Sequence, residues 1–85
     1  DVLGKTEERR MERALIAEYR ACIDELLATL NADNLALAVE IARIPEEIRG
    51  YGHVKERHLH AARPKWDNLM AEWRGGAAPA QRKAA

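Results

Sequence analysis

One run constrains this chain more than any other. Between Thr6 and Leu30 there is no glycine or proline, and Met11, Leu15, Tyr19, Cys22, Ile23, Leu26, Leu27 and Leu30 recur at spacings of three and four. On a helix that spacing collects them into one stripe, leaving Arg9, Arg13, Arg20, Asp24 and Glu25 mostly off it. A half-buried strand would alternate every second residue, and no segment of the chain does so. Thr6 can cap the first free N–H groups, and Glu7 and Glu8 fall in the first turn, where the helix dipole favours negative charge. The spacing predicts a helix over 6–30, about 36 Å long at ~1.5 Å per residue, with 1–5 as a lead-in.

Asn31-Ala32-Asp33-Asn34 supplies cap residues for a second helix over 32–43, which is apolar on nearly all sides. Such a helix is expected to be the enclosed centre of the core, with Leu35, Val39 and Ile41 protected together with Leu26 and Trp66. Pro45 suits the first position of a short helical turn over 45–49, ended by Gly50. A third helix over 53–73 carries Val54, Leu59, Ala62, Trp66, Leu69, Met70 and Trp73 in one phase. Pro64 removes an N–H and crowds the carbonyl of His60, which predicts a kink or a one-turn break there. Gly75 and Gly76 stop the helix, and 75–85, without apolar period, is expected to be disordered. The fold class is all-α: a small antiparallel three-helix bundle over 6–74 with a short extra helical turn, because the connections are short.

Eighty-five residues suffice for one domain, near the size at which about 60% of the chain's surface is buried on folding. Formal charge is zero, yet 1–44 holds six Lys/Arg against nine Asp/Glu, net −3, and 45–85 holds eight against five, net +3. That split favours packing of the halves on each other or on a larger body, and gives no field of the strength nucleic-acid binding needs. No apolar run approaches the roughly 18 residues of a membrane span. Asp1 at the start and the lack of a signal peptide lead to the expectation of a segment of a longer cytoplasmic polypeptide. Cys22, the single cysteine, can form neither an internal disulfide nor a cysteine cluster.

Chemistry has few candidates. His53, His58 and His60 point in different directions on a helix, so they do not converge on a metal. There is no serine, no Walker sequence and no Gly-x-Gly-x-x-Gly after a strand. Trp66 and Trp73, seven apart on one stripe, suit core or interface anchors better than cofactor stacking. What remains is the elbow Arg49, Gly50, Tyr51, Gly52, His53 and Lys55 at a helix start, where N–H groups and cations could hold a phosphate, a carboxylate or an acidic partner. The bland alternative is that the glycines permit positive φ for a tight connection while Arg49 and Lys55 face water. On the first view Tyr51 packs partly on the first or second helix.

Three stretches, Thr6 to Arg20, Ala32 to Glu40 and Ile48-Arg49-Gly50-Tyr51-Gly52-His53-Val54-Lys55, resemble the C-terminal region of bacterial single-chain indolepyruvate ferredoxin oxidoreductases. The similarity spans about Asp1 to Trp73, and the last stretch is its most specific element. The resemblance implies a parent enzyme that decarboxylates an aryl pyruvate on thiamine diphosphate, passes electrons through iron–sulfur clusters to ferredoxin, and forms an acyl-CoA. The Gly-Asp-Gly type thiamine motif and the cysteine sets for clusters are absent from these 85 residues. The segment is therefore expected to hold no cofactor and to serve as a non-catalytic helical accessory domain, docked on the remainder of the parent or across a homodimer. A stand-alone helical module that binds a partner or an anionic ligand is the alternative.

Overall fold

The computed structural model describes residues 2–75. Helix α1 spans Val2–Thr29, α2 spans Leu35–Ala42, a 3-10 turn spans Ile44–Glu47 and α3 spans Gly52–Trp73. Among the described residues there is no strand, and the protein is a small all-α bundle. Residues 76–85, most of the expected tail, lie outside the described region.

Several boundaries shift from their expected places for local reasons, while α3 ends at Trp73. α1 begins at Val2 because Thr6 does not cap it; its hydroxyl donates back to the Val2 carbonyl at 2.9 Å, a bond made inside a helix. α2 begins at Leu35, not at residue 32. The Asn31 side chain accepts from the N–H groups of Asp33 and Asn34, at 2.8 and 3.0 Å, and Asn34 reaches back to the Thr29 carbonyl at 3.0 Å. Those bonds close 31–34 as a turn and leave Asn34 no side-chain cap to give α2. Pro45 lies in the opening turn of the 3-10 segment, which starts at Ile44 and ends before Ile48. α3 starts one residue early, at Gly52, and passes Pro64 without a break. His60 and Pro64 are both exposed, so the proline lies on an outer face of the helix, the side on which a lost backbone bond costs least.

The core joins Cys22 and Leu26 of α1, Ala38 and Ile41 of α2, Ile44 and Ile48 around the 3-10 turn, and Ala62, Trp66, Leu69 and Met70 of α3. Ile41 and Ile44 are wholly buried. The expectation that α2 is enclosed on all sides is corrected here. Leu35 and Val39 remain 50% and 47% exposed. Neighbours cover only the side of α2 that carries Ala38 and Ile41, so its apolar outer face stays in water.

Direction follows from the pairs that join α1 to α3. Lys55 donates to Glu12 at 2.9 Å, Arg63 binds Glu18, and Arg74 donates to Glu25 at 2.7 Å. Both numbers in each pair rise together, so α1 and α3 run parallel. The return is made by the short α2 and the 3-10 turn, which pack closely on α3, whereas α1 meets the others mainly through side chains. The three α-helices thus run up, down and up within a body of 47 × 27 × 19 Å, with the 3-10 turn closing the return.

Candidate functional site

Gly50 and Gly52 set the elbow, with φ of 100° and 55°, a region that favours glycine. Between them Tyr51 is extended, and its carbonyl accepts from the N–H groups of Val54 and Lys55 at 3.1 and 3.4 Å, opening α3. The Arg49 carbonyl accepts from the Nδ1–H of His58 at 2.7 Å, which ties the elbow to the second turn of α3. His58, absent from the expected set, is therefore the histidine that shapes this corner.

The six expected elbow residues do not form one cluster. Tyr51 packs on neither helix and is 91% exposed, since the backbone turns on both sides of it aim the ring outward. Lys55 does not present its charge outward; it lies against α1 in its ion pair with Glu12. His53 is almost fully exposed, with Nδ1 3.7 Å from Glu56. Arg49 is exposed and makes no ion pair among the described residues. Trp66 is a core residue, 3% exposed, with the Arg63 guanidinium 5.0 Å from its ring centre. Trp73 is half-buried and packs against the core from the end of α3.

Beside the elbow lies a feature the sequence reading missed, an open groove of about 420 Å³ between α1 and the 3-10 turn. Leu15, Ile16, Tyr19 and Ile23 form one wall, Pro45 and Ile48 the other, and Trp66 the base. Its upper end is closed by the Glu12–Lys55 pair, and Arg20 and Asp24 stand along the α1 side. Ile16, 59% exposed, forms the lip. The signal for it was present: Ile16 stands on α1 beside Ile23, at the edge of the apolar stripe and rotated away from Cys22 and Leu26, which enter the core.

Polar groups in the walls are held rather than reactive. Tyr19 donates its hydroxyl proton to the Ala42 carbonyl at 2.6 Å, closing the end of α2. Burial, and then the nearby Cys22, push its phenol above the ordinary value. Burial also pushes the Cys22 thiol up, outweighing a hydrogen bond from Trp66, and Cys22 Sγ sits 3.6 Å from the Met70 sulfur. A thiol held protonated and 6% exposed is a poor nucleophile. On the outside, Arg74 holds the Glu25 carboxyl below its usual range by hydrogen bonding.

Among the described residues no three His, Cys, Asp or Glu side chains converge to hold a metal ion, and no helix is long and apolar enough to cross a membrane. Fold and surface define the class: a small all-α bundle with an open apolar groove and an aromatic elbow. Residues 1–68 match DUF6537, a family of unknown function, and the chain belongs to that family. No curated protein and no solved structure is significantly similar to it.

Proposed function

We propose that this chain is a docking module with no reaction of its own, and that it forms the C-terminal accessory region of a fused bacterial indolepyruvate ferredoxin oxidoreductase. The observation that supports docking is the groove: an apolar wall and base left open, with Ile16 held 59% exposed at its lip. A small bundle that buries Ile41 and Ile44 completely has the means to fold, so apolar surface left outside suits contact with a further body. The parent is proposed on the resemblance alone. In that enzyme, thiamine diphosphate, the iron–sulfur clusters and CoA sit on the remainder of the polypeptide, and this module holds that remainder or its homodimer partner in place.

The test is the open reading frame upstream of Asp1. A continuous frame carrying a thiamine-binding motif and cysteine sets for clusters is expected; a frame without them overturns the assignment to that parent. In the whole polypeptide, Ile16→Asp should weaken assembly while leaving this bundle folded, and unchanged assembly would count against docking through the groove.

A second reading, a stand-alone module for a partner or an anionic ligand, draws on Tyr51. An aromatic ring 91% exposed on a glycine-flanked corner, with Arg49 beside it, has the composition of an interface hot spot.

A further inference from the structure

α1 divides its charges by face. Glu12, Glu18 and Glu25 turn inward and pair with Lys55, Arg63 and Arg74 of α3. Arg9, Arg13 and Arg20 turn outward, are exposed, and make no ion pair among the described residues. At ~100° per residue the three arginines lie within about 20° of one line along the helix, and Ile16 and Leu27 lie within about 40° of it. Ile16 and Leu27 are 59% and 62% exposed. Asp24 is the one acidic residue close to that line.

We propose that this outer face of α1 is a docking strip for an acidic amphipathic helix, an inference that rests on the docking reading above and names its partner's chemistry. Arg9 and Arg13, one turn apart, repel each other, a cost the bundle itself does not offset but carboxylates on a partner do. Ile16 and Leu27 are 11 positions apart, three turns of helix or about 16 Å, and call for apolar side chains at matching intervals on the facing helix. Ile23, half-buried between them, continues the surface into the groove. The interleaving of cations and apolar groups on one line favours a helix over the other surfaces a basic helix can meet. A bilayer is met by a helix whose apolar and charged faces are separated. A nucleic-acid duplex would leave Ile16 and Leu27 against phosphates, and the chain's net charge is zero.

The experiment uses the full 85-residue chain and two synthetic helical peptides with leucines at alternating spacings of three and four. One carries Glu at the flanking positions and the other carries Lys. The Glu peptide is expected to bind with an affinity that falls as salt rises, and the Lys peptide to bind at least about tenfold more weakly. Arg13→Glu combined with Arg20→Glu is expected to reverse that order, with far-ultraviolet circular dichroism unchanged because both side chains are exposed. Arg13→Gln with Arg20→Gln, a milder change, should weaken Glu-peptide binding without reversing the order. Ile16→Ser, which removes the apolar contact without changing the charge, should weaken both peptides alike. The strip is overturned if the wild-type chain binds neither peptide, if it shows no preference for Glu, or if charge reversal leaves the preference intact. It is also overturned if vesicles containing phosphatidylglycerol or a DNA duplex bind while the Glu peptide does not. Failure of the strip with the assembly of the whole polypeptide still sensitive to Ile16→Asp leaves the docking reading standing, so the two can fail separately.

Discussion

Replacing Gly50 by alanine tests the elbow where two penalties coincide. At φ of 100° an L side chain is strained, which costs about 1–3 kcal/mol. The added Cβ would also lie 2.8 Å from Val54 Cγ1 and 3.3 Å from Val54 Cβ. Val54 is β-branched and sits in the first turn of α3, so its stiff χ1 leaves it little room to swing away. Overpacking of that kind adds about 1–3 kcal/mol. The sum, about 2–6 kcal/mol, is a large share of the ~4–13 kcal/mol that a chain of this length has in total. Gly75 provides the reference. Its φ is 79° but an added Cβ meets nothing within 4 Å, so Gly75→Ala should cost only the backbone part, about 1–2 kcal/mol. Urea unfolding followed at 222 nm gives both values at constant slope. The decisive variant is Gly50→Ala with Val54→Ala, which removes the clashing methyl groups. Val54 is 42% exposed, so its loss alone should cost below about 1 kcal/mol. The double variant should recover about 1–3 kcal/mol relative to Gly50→Ala. Equal costs at Gly50 and Gly75, or no recovery in the double variant, would refute the geometry of the corner.

Ile41→Ala, at a wholly buried site, should cost about 2–5 kcal/mol, while Val39→Ala on the exposed face of the same helix should cost below about 1 kcal/mol; matching urea midpoints would show that α2 is enclosed after all. Tyr19→Phe removes the bond to the Ala42 carbonyl and should lower stability by about 1–2 kcal/mol, with amide exchange rising first at the end of α2. Both Cys22 and Tyr19 hold their protons more tightly in the fold than in the unfolded chain. Their contribution is therefore complete below the ordinary values, ~8.5 for a thiol and ~10 for a phenol, and is lost as pH rises through the higher folded values. Urea midpoints measured from pH 8 upward should fall, and Cys22→Ala with Tyr19→Phe should flatten that fall. Pro64→Ala restores a bond to the His60 carbonyl on an exposed face of α3 and should raise stability by about 1–2 kcal/mol; a lower melting temperature would mean that the proline fits the helix better than alanine does.

What was legible in the sequence was what depends on near neighbours. The three- and four-residue spacing from Met11 to Leu30 and from Val54 to Trp73 gives α1 and α3, and Pro45 with Gly50 marks the return between them. Ambiguity began where one side chain has two uses. A Thr6 hydroxyl can cap a helix or donate back four residues, and the bond to Val2 takes the second course. The composition of α2 marks Leu35 and Val39 as apolar, but whether they are buried depends on how many elements are left to cover them, and a three-helix body has none for that side. The elbow was the least legible part. Lys55 reads as a free cation until its partner 43 residues away, Glu12, is in place. Tyr51 reads as a packing residue until the two positive φ values turn it to solvent. The groove is legible only in retrospect, since Ile16 looks like a stray from the main stripe until Pro45 and Ile48 stand opposite it.

The parallel course of α1 and α3 has a mechanical consequence. Glu8 lies beside Gly52 and Glu25 beside Arg74, so Val2 and Gly75 stand at opposite ends of the long axis. Tension applied between those two points draws α1 one way along its axis and α3 the other. The Glu12–Lys55, Glu18–Arg63 and Glu25–Arg74 pairs, and the Cys22, Leu26 and Trp66 contacts among them, then bear the load side by side and in shear, where an antiparallel seam pulled from one end would open pair by pair. A polypeptide that transmits force through this module would meet a stiff strut along its length.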